Sequence, residues 1–358
     1  MSIKIFHEAD GNISVLENKL IAVLGFGNQA KAQALNMRDS GLNVIVGTSK
    51  DEYKVRATED GFQVFSLEEA VKQAEIIFLL ISDDILKDVF KNKIIPNLKD
   101  NKTLVFSTGY YLTYNILTPP KDIDVLLISP RGSGEMIRKQ YLNMEGLFSF
   151  ISIVQDVSGN SRNLLLGLTK AIGGLSRAGI EMSIKQQTVL QLFIEQAFLP
   201  AFNLVMMKAI RNLVDEGYSP EAIFIELILS EEMIFTVDKM IEVGLVRQMN
   251  FHSQTSQYGS LSRGIKFSKV GDDITQIQEV ILEKIEDGSF AEEWESEETK
   301  EKLNVMKNIA YNSNFWELEK KVYNNLNFSL KFKSMEKEAP AESLEGLRDQ
   351  YKTFYEEI

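Results

Sequence analysis

Apolar residues fall in short runs through the first half of the chain and in long helical stripes through the second. Residues 20–24 (LIAVL), 42–47, 75–81 (EIIFLLI), 103–106 (TLVF), 123–129 (IDVLLIS) and 147–154 (LFSFISIV) are too short for helices, which predicts strands buried on both faces. Between them, 67–74 and 85–92 carry helical spacing. This alternation predicts an α/β domain over residues 1–181, with an open, mostly parallel sheet covered on both faces. Past about residue 182 the pattern changes. Residues 185–216 and 220–243 are long apolar-periodic stretches, the second opened by Ser219 as N-cap with Pro220 in the first turn, and Pro200 is expected to kink the first. No comparable strand signal returns. An all-helical domain over 182–330 and a charged helical tail over 331–358 are therefore expected.

The join between the first run and the helix after it carries chemistry. Gly25 and Gly27 follow the strand, with Phe26, Asn28 and Gln29 completing the turn and Ala30 at the third small position. Such a turn needs one residue free of Cβ strain and another that lets the main chain approach a pyrophosphate, whose charge suits a helix N-terminus. The next strand arrives at the spacing of one strand-helix-strand unit, which makes this a Rossmann dinucleotide fingerprint, with an ordinary tight turn as the alternative. That second strand runs out into Thr48, Ser49 and Lys50, before Asp51 and Glu52. Small hydroxyls and a cation suit a ribose 2′-phosphate, so NADPH is expected; Asp51 reaching a ribose would favour NADH. Ligands in open α/β sheets bind beyond the carboxyl ends of the strands, which places Ser82, Ser107, Thr108, Gly109, Pro130 and Arg131 at the edge of the cleft.

Composition narrows the partners. The 358 residues are 44% hydrophobic and carry a formal charge of -12, which argues against nucleic acid. There is no cysteine, hence no disulfide and no thiolate metal site. The N-terminus lacks an apolar signal core and no window holds about 18 uninterrupted apolar residues, so a cytoplasmic protein with no membrane partner is the expectation.

Several longer segments, GFGNQAKAQALNMRDSGLNVIVG, IIPNLKDNKTLVFSTGYY, PPKDIDVLLISPRGSGEMIRKQY, QDVSGNSRNLLLGLTKAIGG, KQQTVLQLFIEQ and VDEGYSPEAIFIEL, resemble those of ketol-acid reductoisomerase in the same order. The resemblance spans roughly residues 15–265. It implies an NADPH-binding Rossmann domain and a knotted, all-helical C-terminal domain. It also implies, for the short form, a homodimer in which helices of both chains complete each active site. The implied reaction is a magnesium-dependent alkyl migration in a 2-acetohydroxy acid followed by hydride reduction.

Matched position by position, the resemblance departs at the chemistry. The family's His-Gly is Thr108-Gly109, and its Pro-Lys-Gly is Pro130-Arg131-Gly132, which keeps a cation in a different shape. The Asp and Glu of the first metal helix are Gln191 and Glu195; the paired Glu residues of the second are Glu226 and Ser230. The family's substrate-contacting Ser matches Ser253. Carboxylates four apart on a helix share a face, and two adjacent divalent ions need a bridging carboxylate. On a regular helix Glu231 and Glu232 point away from the face of Ser230 and do not substitute for it. Glu195 and Glu226 then leave at most one weakly held ion, which argues against magnesium and against the isomerase half. What remains is an NAD(P)H-dependent reduction of a keto or imino substrate. Arg131 would hold a carboxylate or developing alkoxide, a desolvated Glu195 would donate a proton, and Tyr110 and Tyr111 are further donors. The alternatives are a non-catalytic relative that binds nucleotide or a protein partner, and an authentic reductoisomerase.

Overall fold

Nine strands among the described residues form one sheet: β1 (Lys4–Phe6), β2 (Leu20–Leu24), β3 (Asn43–Gly47), β4 (Gln63–Phe65), β5 (Ile76–Leu79), β6 (Thr103–Phe106), β7 (Asp124–Pro130), β8 (Phe148–Gln155) and β9 (Ala178–Glu181). Their order is β1-β9-β8-β7-β6-β5-β2-β3-β4. From β4 through β7 every pairing is parallel, and antiparallel pairs occur only between β7 and β8 and between β1 and β9. The expected α/β Rossmann architecture is present, and all six apolar runs are strands. The computed structural model describes residues 3–99, 101–328 and 345–357.

Central strands are sealed on both faces, as their continuous apolar runs require. Helices α1 (Asn28–Asp39), α2 (Asp51–Glu59), α3 (Leu67–Gln73), α4 (Asp83–Val89), α5 (Tyr110–Thr113), α6 (Gly134–Leu142) and α7 (Ser161–Ile172) supply the cover. On one face Ala34 and Met37 of α1 and Leu165 and Leu168 of α7 pack with Ile21, Val23 and Phe78. On the other, Ala70 and Val71 of α3 and Leu86 of α4 pack with Ala22, Leu24 and Ile77.

The amino ends of the strands are held by two buried charges. The Lys102 ammonium donates to the carbonyls of Val71 (2.7 Å), Lys72 (3.0 Å) and Ala74, placing a cation where the last carbonyls of α3 lack partners. Asp124, at the start of β7, accepts from the amides of Val157 (2.8 Å) and Ser158 (3.0 Å) and from the Ser158 hydroxyl (2.6 Å). Burial alone would raise its carboxyl pKa, but the bonds from Ser158, Val157 and Ser161 outweigh that and hold it below the ordinary value.

The chain divides into two compact units, Met1–Gln191 and Leu192–Ile358. This boundary lies later than the expected 181/182. The first turns of the following helix, Ile184–Phe193, belong with the sheet unit, where Ile184 packs on the second core and Gln187 and Thr188 are buried.

The second unit is helical throughout its described residues, as expected, but its helices are not regular. The stretch Ile184–Asp215 runs on as one helix and contains a π turn at Ile194–Phe198, immediately before Pro200. The Leu199 amide reaches back to the Ile194 carbonyl across that turn. The predicted single helix 220–243 is broken. Pro220–Phe224, capped by the Ser219 hydroxyl on the Ala222 amide, passes into a second π turn, Ile225–Leu229. Glu231 then takes a left-handed backbone, φ 61°, and a new helix, Glu232–Val243, begins. The tail expected over 331–358 forms a helix at Glu345–Glu357; residues 329–344 and 358 lie outside the described residues.

The helical unit buries little apolar surface of its own. Its core is Ile210, Ile223, Phe224 and Val322 with a ring of partly buried neighbours. Of the most apolar window of Ile184–Asp215, only 6% is buried, and by length and composition alone that helix would reach across a membrane. Val205, Ile234, Ile241, Leu261 and Ile265 are all exposed.

Candidate functional site

A cavity of about 260 Å³ opens at the carboxyl ends of β2, β3 and β5. From β2 the chain leaves towards β3 on one side and meets β5 on the other. The cavity thus sits at the crevice where strand order reverses. Eight of the ten expected cofactor residues line it: Gly25, Gly27, Asn28, Gln29, Thr48, Ser49, Lys50 and Ser82.

The turn is built as the glycine spacing requires. Gly25 has φ 94°, and a Cβ there would lie 2.5 Å from the Leu80 carbonyl oxygen, so both conformation and contact exclude a side chain. Its amide donates to the Gly47 carbonyl at 2.8 Å, tying the turn to the end of β3. Gly27 is the N-cap of α1, and a Cβ on it would lie 3.7 Å from the Tyr53 hydroxyl. Two expected residues do something else. Phe26 is fully buried, its ring edge-on to Phe62 at 5.7 Å. Gly109 donates its amide to Gln187 Oε1 at 2.7 Å and is buried beneath that helix.

Sequence reasoning missed the apolar wall of the cavity, Leu67, Leu80, Ile81 and Ile85, and it missed Tyr53. Lys50 Nζ lies 5.4 Å from the centre of the Tyr53 ring and the Arg56 guanidinium 5.9 Å from it, so two cations flank one aromatic face beside Thr48 and Ser49. The i+3 spacing of Lys50 and Tyr53 at a helix start would have signalled this. The two nearest acids are engaged on their own helix. Asp51 pairs with Lys54 at 2.9 Å and is 94% exposed; Glu52 pairs with Arg56 at 3.5 Å. With both carboxylates paired on α2, the cavity wall at the end of β3 offers the hydroxyls of Thr48 and Ser49 and the Lys50 cation, a set that fits NADPH.

Beyond the cavity, the strand-end residues are held in place. Arg131 Nη1 donates to Ser129 Oγ at 3.2 Å and the guanidinium stacks over Phe150 at 4.9 Å. Thr108 Oγ1 accepts from the Tyr110 amide at 3.4 Å. The Tyr111 hydroxyl, expected as a further donor, donates to Asp83 Oδ1 at 2.7 Å.

Glu195 and Glu226 are both exposed, each the second residue of a π turn. Glu195, expected to be desolvated, is exposed in the single chain. Gln191 Oε1 accepts from Gln187 Nε2 at 2.8 Å. Ser253 is the N-cap of a helix, its hydroxyl accepting from the Ser256 amide at 3.2 Å. Among the described residues no three His, Asp or Glu side chains converge to hold an ion.

The helix that carries Glu226 does not run on regularly to Glu232. The Ser230 amide bonds to the Ile225 carbonyl at 2.9 Å, a π-type link, and the left-handed Glu231 ends the helix. Glu231 and Glu232 are therefore not on one regular helix with Glu226. Their exclusion as substitutes for Ser230 does not hold.

Comparison with known proteins completes the picture. Residues 15–179 match the family model for the acetohydroxy acid isomeroreductase NADPH-binding domain, and residues 184–328 match that for the ketol-acid reductoisomerase C-terminal domain. The chain belongs to the ketol-acid reductoisomerase family. It is an oxidoreductase of that family with an NADPH-binding Rossmann domain. A ketol-acid reductoisomerase (NADP(+)) of Petrotoga mobilis is 38% identical over 295 residues, covering 82% of this chain and 88% of that protein. Among solved structures, the NADH-preferring ketol-acid reductoisomerase from an uncultured archean superposes with a TM-score of 0.83 at 30% identity. It covers 90% of this chain and 98% of its own. A semialdehyde dehydrogenase NAD-binding protein from Cupriavidus necator, at TM-score 0.58 and 18% identity over 75% of this chain and 98% of that one, shares the fold alone.

Proposed function

We propose that this protein reduces a 2-oxo acid of the ketol-acid class with NADPH. The observation that carries the reading is the cavity rim: Thr48, Ser49, Lys50 and Tyr53 line the cavity while Asp51 and Glu52 are paired with Lys54 and Arg56. NADPH supplies the hydride. Around it, the amide of Gly27 and the N-terminus of α1 receive the pyrophosphate, and Lys50 offers charge to a 2′-phosphate. Arg131, held at the end of β7 by Ser129 and Phe150, presents the planar cation that binds a carboxylate and offsets the charge that grows on a carbonyl oxygen during hydride addition.

A second reading is the complete reductoisomerase. It is favoured by 38% identity to a ketol-acid reductoisomerase and by the break at Glu231, which returns Glu231 and Glu232 to the set of candidate carboxylates beside Glu226. The two readings separate in one assay. NADPH oxidation is followed with a 2-acetohydroxy acid and with the 3-hydroxy-2-oxo acid that the alkyl shift would produce, each with magnesium and with chelator. Reduction of the second acid alone supports the reductase. Chelator-sensitive turnover of the first supports the reductoisomerase, and the absence of both points to a non-catalytic binder.

The protein is proposed to act as a homodimer. A second copy would cover the apolar helix faces that one chain leaves in water, including Ile184–Asp215 and the residues around Ile241.

A further inference from the structure

Three segments of the sheet unit are joined by side-chain amides. Gln29, in the first turn of α1, donates from Nε2 to the carbonyl oxygen of Gly132 at 2.8 Å, in the loop that carries Arg131. Gln33, one turn further along α1 and fully buried, has its Nε2 3.5 Å from Gln29 Oε1 and 3.4 Å from Ser107 Oγ. Ser107 follows β6, and its hydroxyl donates to the Ile128 carbonyl in β7 at 3.3 Å. From the other side, Gly134 lies against the same turn: a Cβ on it would come 2.1 Å from the Asn28 carbonyl oxygen.

A side-chain amide presents a donor end and an acceptor end, and what touches one end decides which way the other faces. The Gln33 donor faces the Gln29 oxygen, which leaves the Gln29 NH2 for Gly132. Gln33 achieves this while its own Oε1 is buried without a hydrogen-bond partner. Such an atom costs stability that an apolar residue of the same size would not, so the retained glutamine calls for a use beyond packing.

We infer that Gln29, oriented by Gln33, is a positioning residue for Arg131. It ties the loop that carries the guanidinium to the turn that receives the cofactor, so that the two binding elements move as one. The inference rests on the reading above, that Arg131 holds the carboxylate of an oxo acid reduced by NADPH. It differs from a cofactor-binding role for Gln29, because the amide is turned to Gly132.

The test uses the full chain with Gln29→Met and Gln29→Glu, which match the native side chain in length and donate nothing to a carbonyl. Loss of one such bond frees the loop by about fivefold, so amides of residues 132–136 should exchange with deuterium about five times faster in both variants. The kcat/KM for the oxo acid should fall about tenfold, mostly through KM. Arg131→Lys should cost less in the Gln29→Met background than in the native one, because both changes act on one interaction. Gln33→Leu should reproduce part of the exchange effect. Unchanged exchange at 132–136, or faster exchange with kcat/KM for the oxo acid unchanged, would overturn the inference. A native protein that binds NADPH and reduces no oxo acid would instead refute the reductase reading, and the exchange comparison would still decide the tether.

Discussion

Gly25 faces Leu80 so closely that a Cβ on the glycine would sit 2.5 Å from the leucine carbonyl oxygen, with the Ile81 Cα at 3.3 Å. The contact joins the ends of β2 and β5, the two strands between which the cofactor cavity opens. Gly25→Ala meets this backbone clash and a positive φ together, and neither can be relieved without moving the turn. The expected outcome is a loss of NADPH affinity of about tenfold or more, together with a drop in stability of about 1–3 kcal/mol. Fluorescence titration of NADPH and a thermal melt check the two halves.

Cofactor preference should reside in three consecutive side chains. Thr48, Ser49 and Lys50 line the cavity, and Lys50 is further oriented by the Tyr53 ring. Replacing Ser49 by Asp and Lys50 by Gln together puts an acid in reach of a ribose and removes the nearby cation. NADPH binding should weaken by about tenfold or more while NADH binding holds or improves. Parallel titrations with the two cofactors measure the ratio, and an unchanged ratio would place the 2′-phosphate elsewhere.

Acid stability should depend on Asp124. Its folded pKa is depressed below the unfolded value, so its contribution is complete above the unfolded pKa and is lost as pH falls through the folded one. Asp124→Asn should lower stability near neutral pH by about 1–3 kcal/mol, because the side chain can no longer accept at both oxygens from Ser158 and Val157. Below about pH 4 the gap between the native protein and the variant should narrow as the native carboxyl is protonated. Urea denaturation at a series of pH values reads this directly. A gap that stays constant with pH would remove the carboxylate from the explanation.

Association should depend on the exposed apolar helix faces. Val205 and Ile241, 62% and 70% exposed in the single chain, are positions where an acid costs little in an isolated protomer and much in a dry interface. Val205→Asp and Ile241→Asp should each shift sedimentation from dimer towards monomer and weaken binding of a second copy by about tenfold or more. Retention of the native association state in both variants would exclude these faces as the contact.

The sheet unit was legible because its signals are local. Continuous runs such as EIIFLLI report strands buried on both faces, and the Gly25–Gly27 turn with Thr48–Lys50 reports a cavity that depends on adjacent residues. What the sequence hid has physical reasons. Strands β1 and β4 lie at the two sheet edges, are three residues long and are half-wet, so they carry no apolar run. Phe26 lies inside the fingerprint but points into the core, because only the backbone of such a turn need face the ligand. The largest error concerned Glu226 to Glu232. Counting by 3.6 assumes an α-helix, and neither the π turn at Ile225–Leu229 nor the left-handed Glu231 leaves a mark in apolar periodicity. Gly109 and Gln187, 78 positions apart and hydrogen-bonded, show the same limit at long range.

The sheet half closes its two cores using residues before position 185, whereas the following half keeps much of its apolar surface in water until something covers it. During synthesis the nucleotide-binding half therefore leaves the ribosome first with everything needed to collapse, and the helices emerge after it with their greasy flanks unmet. With a second copy as the proposed cover, their maturation would become a second-order process, limited by the supply of like chains. At low expression the vulnerable species would be a protein already folded at one end and waiting at the other.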